Sequence, residues 1–380
     1  MRLATALLLG LALPAMAAGY KVTLLAPAGD ARLERARLER ALPGHPSGAA
    51  ADALKLAFDE AALPLANAGA ALSLELVEVA DAAAAKAAAQ AAEKAGAAAL
   101  VADLPAAWLL AAADAVKLPV LNVGAADDAL RGADCRATLW HLLPSERMRA
   151  DALAQALVAR RWSRVLLLNG PLPADAARSA TAQAALKRYG LTLVASRPFK
   201  LSADPREREL ANPRLLTQGD YDVVWVVDSD GEFASTLNFR TLLPRPVVGD
   251  GGVVAVAWSP KLERFGAPQL TRRLRKAAGR PLGAHDWGAW MAGKVLVSAA
   301  VAAPKGPVAA FRQALASGEF DGYKGVVLSF RPWDGQLRQP LLLSDGQAVI
   351  DVAPGDGVMH PKNKLDTLGA DAPEKLCKAR

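Results

Sequence analysis

Residues 120–148, VLNVGAADDALRGADCRATLWHLLPSERM, close one run of alternating strand and helix patterns and open another. The apolar strand pattern ends at Asn122 and Gly124, one of only two cysteines follows, and Pro144-Ser145 begins a new helix. Upstream, strand-like residues 21–26, 72–80, 97–102 and 118–123 alternate with helical spacing at 49–62, 81–96 and 105–116. Downstream, helical residues 145–161, 175–189, 204–217 and 232–242 alternate with strands at 163–169, 191–198, 221–227 and 246–248. Such alternation is the mark of βαβ units and buried parallel sheets, so the chain is read as α/β with two halves of one class. The stretch between them is a hinge, and the facing loops of the halves form a cleft.

Beyond residue 253 the chain crosses back. Helices are expected at 261–279, 286–301 and 307–317, and strands at 325–330, 339–343 and 348–352. The tail after Pro354 is aperiodic and needs an anchor. With 380 residues and 52% hydrophobic content, the chain can build two cores, and disorder is not its default. Its net charge of +7 is scattered. The densest basic groups, RLERARLER at 32–40 and RRLRK at 272–276, have helical spacing and no aromatic partners, which reads as solvated helix faces and not as a nucleic-acid surface.

Residues 1–18 hold one basic residue, Arg2, an apolar run at 3–13, Pro14 and small residues at 15, 17 and 18. That is the pattern of a secretory leader cleaved after Ala17 or Ala18, and its apolar run is short of the roughly 20 residues that span a bilayer. A periplasmic protein with no membrane insertion is expected. In an oxidising compartment Cys135 and Cys377 can pair, which would tie the tail beside the hinge.

Strand-end logic selects Asp103, Asn122, Ser145, Asn169, Asp228 and Asp250 as cleft residues. Each has a structural alternative: Asp103 and Ser145 as helix caps, Asn122 as a turn former. Asp228, Asp230 and Glu232 in VVDSDGEF resemble the start of a loop for a hard cation, but the pattern lacks a distant bidentate Glu, and acids favour a helix N-terminus without any metal. Trp140, Trp258, Trp287, Trp290 and Trp333 are core candidates that could also stack on a flat ligand. His285-Asp286 is an acid-base pair or a cap. Nucleophile-elbow, zincin and phosphate-loop motifs are absent, so no cofactor and no catalysis are expected. Binding without turnover fits better.

The stretches NVGAADDALRGADC (122–135), HLLPSERM (141–148), LPRPVVG (243–249), HDWGAW (285–290), SFRPWDGQLRQP (329–340) and LDTLGADAPEKLC (365–377) carry a resemblance. The chain resembles the type I periplasmic binding proteins of the branched-chain amino acid class, and within them a subfamily associated with pyrroloquinoline-quinone-dependent alcohol dehydrogenase systems. The resemblance implies two doubly wound parallel-sheet lobes joined by three crossovers. Lobe one would hold 19–142 plus 256–333, lobe two 143–255 plus 334–352, and 353–380 would be the tail. It further implies a small-molecule ligand bound between the lobes, an ABC transporter permease as partner, and a quinoprotein dehydrogenase as a second partner. Two other roles stay open: binding of calcium or a lanthanide for that system, and a non-transport accessory role. In amino-acid binders of this class an acid after the last lobe-two strand receives the ligand ammonium. Here that position falls on Gly251, with Asp250 one residue early, which argues against ordinary branched-chain amino acids.

Overall fold

The computed structural model describes residues 18–39, 43–304 and 306–380. Of the expected leader, residues 1–18, all but Ala18 lie outside them. The first half runs β1 (Ala18–Pro27), α1 (Arg35–Glu39), α2 (Ala50–Glu60), α3 (Ala62–Ala68), β2 (Ala70–Val79), α4 (Ala82–Lys94), β3 (Ala97–Ala102), α5 (Ala106–Ala113), β4 (Val120–Asn122) and β5 (Leu139–His141). Its five-stranded sheet has the order β2-β1-β3-β4-β5, and every pairing is parallel. Alternate residues feed opposite faces: Val22, Leu24 and Val101 enter one core, Leu25, Leu100 and Ala102 the other. Helices therefore cover both sides.

The second half runs α6 (Glu146–Ala159), β6 (Arg164–Asn169), α7 (Pro173–Arg188), β7 (Thr192–Pro198), α8 (Pro213–Leu216), β8 (Val223–Val227) and β9 (Val247–Gly249). The sheet order is β7-β6-β8-β9, again parallel. Val165, Leu167 and Trp225 pack on one face, Leu166, Leu168 and Val226 on the other.

The return comprises β10 (Val254–Val256), α9 (Ala267–Ala278), α10 (Ala284–Ala302), α11 (Val308–Ser317), β11 (Phe320–Asp321), β12 (Val327–Leu328), β13 (Leu341–Ser344) and β14 (Val349–Ala353). An antiparallel sheet, β10-β13-β14, laces the crossovers together, and a bridge joins His141 to Gln336. Leu341 and Leu343 pack into the second-half core while Leu342 packs into the first, so this strand seals both cores at once.

Several elements differ from expectation. The helix expected over 204–217 is a 3-10 turn at Pro205–Ala211 followed by α8, because Pro213 supplies no amide and Asn212 caps a fresh start through the Arg214 amide at 3.0 Å. The helix at 232–242 is likewise a 3-10 segment, Ala234–Phe239. Of the strand at 325–330, Val327–Leu328 pairs with Phe320–Asp321 and Phe330 makes an isolated bridge to Leu337. Strands β5 and β10 were too short to show a period. The aperiodic tail is fixed: Cys135 and Cys377 are bonded to each other.

Candidate functional site

Ser145 caps α6 by accepting the Met148 amide at 3.2 Å. That start sets a helix face on which Glu146, Arg149, Ala150 and Leu153 follow at one-turn spacing, and all four line a cleft cavity of about 230 Å³. Arg178, Thr181 and Ala182 of α7 form the adjoining wall. The carboxyl ends of β8 and β9 supply Trp225, Val227, Ser229 and Asp250. Val254 and Val256 of β10, and Pro43 to His45 from the first half, close the opposite side. A second, more open groove of about 650 Å³ runs from Arg32, Leu104 and Gly124–Ala129 to Glu146, Arg178 and Thr181. Gly124 permits this approach of two loops, since a Cβ there would meet the Leu104 amide nitrogen at 2.5 Å.

Arg178 is the centre of the cleft's electrostatics. Its guanidinium donates to both oxygens of Asp250, at 2.8 and 2.9 Å, to Ser229 Oγ at 3.3 Å and to Glu146 Oε2 at 3.4 Å. Arg149 donates to Glu146 Oε1 at 3.1 Å, and the Asp228 amide donates to Asp250 Oδ2 at 2.7 Å. Burial alone would favour a neutral guanidine at Arg178, but Asp250 and Glu146 hold it firmly protonated. Burial would also raise the Glu146 carboxyl, yet Arg149 and Arg178 keep it below the ordinary value. His45 is pushed down by burial and by Arg178, Arg149 and Arg37, against the pull of Asp250.

The six residues singled out by strand-end logic do not gather in one place. Asp250 lines the cavity with its oxygens already engaged. Asp103 sits behind the groove, 3.0 Å from Arg32 Nη1 and 3.0 Å from His285 Nε2. Asn122 is fully buried and closes its own turn through the Gly124 and Ala125 amides and the Ala125 carbonyl. Ser145 faces a separate small cavity of about 60 Å³ beside the tail. Asn169 donates to Ser196 Oγ at 2.6 Å. Asp228 accepts the Ala234 amide at 2.9 Å, and among the described residues no group of three or more His, Cys, Asp or Glu is placed to hold a metal ion.

Trp258, Trp287 and Trp290 are core residues, Trp258 and Trp287 being stacked at 6.3 Å. Trp140 packs on Phe330, and Trp333 bonds the Ala370 carbonyl; the tryptophan in the cleft is Trp225. Asp286 caps α10 through the Gly283 amide at 2.9 Å while His285 turns to Asp103, so the two do not act as a pair.

Burial would raise the Asp103 carboxyl, but His285 and Arg32 outweigh it and hold it below its ordinary value of 3.8. The stabilisation it gives is present above about pH 4 and is lost as pH falls through the depressed folded value. Asp103→Asn should lower stability near neutral pH by roughly 2 kcal/mol and flatten the acid limb of a urea-unfolding series. An unchanged acid limb would refute this assignment.

No family model matches the chain, and no curated protein does. Among solved structures it is similar to an ABC transporter substrate-binding protein from Sphaerobacter thermophilus, with a TM-score of 0.70 and 17% identity, over 88% of this chain and 98% of that one. A leucine-, isoleucine-, valine-, threonine- and alanine-binding protein from Brucella ovis, in a closed conformation, gives 0.67 and 15% over 90% and 93%. The fold is the type I periplasmic binding protein fold. A benzoate complex of an ABC transporter solute-binding protein from R. palustris aligns at a TM-score of 0.62 with 14% identity, over 86% of this chain and 92% of that one. Among the described residues, no helix of this fold is long and apolar enough to cross a membrane.

In this fold the cleft between the two sheets is formed by loops at strand carboxyl ends, which is where the Arg178 network lies. Residue pattern alone did not reveal Arg178, Arg149, Glu146 or His45. The spacing 146, 149, 150, 153 after the Ser145 cap was the available signal. Arg178 had none, being one of four charged residues in an alanine-rich helix.

Proposed function

We propose that this chain is the exported solute-binding component of an ABC importer, and that it captures a small ligand in the cleft between its lobes. The observation that carries the reading is the cavity between α6, α7, β10 and residues 43–45, lined by both charged and apolar side chains. The lobes are taken as 19–142 plus 256–333 and 143–255 plus 334–352, with 353–380 as the tail. The neighbours in structure space are transport receptors, which supports a permease as partner and the periplasm as the compartment. The motif resemblance supports a link to pyrroloquinoline-quinone-dependent alcohol oxidation, either as transport for that system or as an accessory to its dehydrogenase.

A ligand that binds only the folded chain stabilises it by roughly 2.7 kcal/mol at a hundredfold excess over Kd. Thermal unfolding of the mature chain against short acids, alcohols, aldehydes and amino acids is expected to show an upward shift for one class. No shift from any compound, together with capture of a quinoprotein dehydrogenase by the immobilised chain, would replace transport with the accessory role.

A further inference from the structure

We infer that the cleft takes a small carboxylic acid with an apolar body and no ammonium group, held at its carboxylate by Arg149. This inference rests on the solute-binding reading above.

The acids of the cleft are already used. Asp250 receives two bonds from Arg178 and one from the Asp228 amide, and the two oxygens of Glu146 face Arg178 and Arg149. An incoming ammonium would compete with Arg178 and Arg149 for carboxylates that already balance two guanidiniums. Moving the acid to position 251 is also closed. Gly251 has φ +75°, and a Cβ there would meet the Ala234 carbonyl oxygen at 2.1 Å.

The donors, by contrast, are not used up. Arg149 lines the cavity and gives one Nη1 proton to Glu146 at 3.1 Å, while its Nε is shielded inside the wall. A guanidinium carries five N–H donors, so the Nη end of Arg149 keeps protons for an acceptor that enters the cleft. Ser229 Oγ accepts from Arg178 and keeps its own proton to donate. The fork of Arg149 can meet a carboxylate in two parallel bonds.

The shape supports the rest of the ligand. Leu153 lies one turn beyond Arg149, about 6 Å along the helix, and with Trp225, Val227, Val254 and Val256 it makes up the apolar part of the lining. A volume of about 230 Å³ is below the roughly 300–1,000 Å³ of drug-sized pockets, so the body is short. Two guanidiniums against two carboxylates leave the charges of the lining balanced. An anion brings one negative charge, and His45, which feels Asp250, Arg178, Arg149 and Arg37, is the group that can answer it by taking a proton. Binding of the acid then takes up a proton, so affinity rises as pH falls.

Calorimetry at pH 7 with two matched sets tests this: 4-methylpentanoate, leucine and 3-methylbutylamine; 3-phenylpropanoate, phenylalanine and phenethylamine. At least one acid should bind tenfold or more tighter than its amino acid, and neither amine should bind. Affinity for that acid should rise up to tenfold between pH 8 and pH 6, and His45→Gln should flatten the dependence. Arg149→Gln should weaken the acid tenfold or more with an unchanged melting temperature. Equal or tighter binding of leucine or phenylalanine, or silence of both acids, overturns the inference. Thr181→Trp, which fills the cleft from α7, separates the two levels. If amino acids bind and this variant abolishes it, the cleft reading stands and only the ligand class fails; if acid binding survives the variant, the cleft reading fails as well.

Discussion

Asp366→Ala is expected to destabilise the fold by roughly 3–5 kcal/mol, the range for breaking a buried ion pair and leaving its partner charged. One carboxylate oxygen of Asp366 accepts from Arg331 Nε at 2.9 Å and from Arg338 Nε at 2.8 Å. Asp366 and Arg331 are only 2% and 1% exposed, so water cannot replace the lost partner. Arg331 also donates to the carbonyls of Leu365 and Leu368, both at 2.8 Å, which makes it the post around which the tail is wound. Arg331 and Arg338 lie 5.6 and 5.2 Å from the Trp333 ring, whose indole N–H reaches Ala370. Removing the carboxylate leaves two cations beside one ring. Urea unfolding followed by tryptophan fluorescence would measure the loss, and a change under about 1 kcal/mol would show that the tail is held some other way. Asp366→Asn, which keeps the shape and one acceptor, should fall between.

The same cluster gives a physical meaning to SFRPWDGQLRQP, the stretch on which the family resemblance chiefly rests. Its side chains point into the crossovers and the tail, away from the cleft. Gln336 donates to the carbonyls of His141 and Leu143 and accepts from Arg131 at 3.0 Å. Gln339 donates to the Leu142 carbonyl at 2.7 Å and accepts from Lys324 at 2.8 Å. Such a motif marks how the lobes are joined and is silent about what lies between them.

That division explains how much the residues disclosed. Strands such as 97–102 and 223–227 are buried on both faces and read as unbroken apolar runs, so the parallel sheets were visible from composition and order alone. The three-residue strands β4, β5, β9 and β10 depend on neighbours far along the chain; the expected strands 118–123 and 246–248 overlap β4 and β9, while β5 and β10 have no counterpart among the expected strands. No continuous helix forms over 204–217, although its charges have helical spacing, because Pro213 lacks the amide that would continue it. Strand ends lead to Asp250, which lines the cavity, but Asn122 bonds its own loop and Asn169 bonds Ser196 of the neighbouring strand. Arg178 escaped because its role depends on three partners at positions 146, 229 and 250, and only the folded chain brings them within reach.

Reduction or removal of the Cys135–Cys377 bond is the second large effect. The bridge spans a sequence separation of 242, and loop-closure entropy for a loop of that length gives about 5 kcal/mol as an upper value. The expected loss for Cys135→Ser with Cys377→Ser is roughly 2–4 kcal/mol, because unfolded chains are already compact. The tail has other holds: Arg147 grips Glu374 at 2.7 and 2.8 Å, the Gly369 amide reaches Asp151 at 2.9 Å, and the Arg380 guanidinium lies 4.3 Å from the Trp140 ring. These contacts keep the tail docked in the folded state, so the variant should remain folded while amide exchange rises first over 370–380. Combining it with Asp366→Ala should cost less than the two losses added, since both variants release the same segment. Strict additivity would mean that the bridge acts only on the unfolded chain. A clear shortfall would mean that bridge and ion pair hold one cooperative unit. That unit ties residues 128–137 of the first half to α6 of the second, where Glu146 and Arg149 face the cleft.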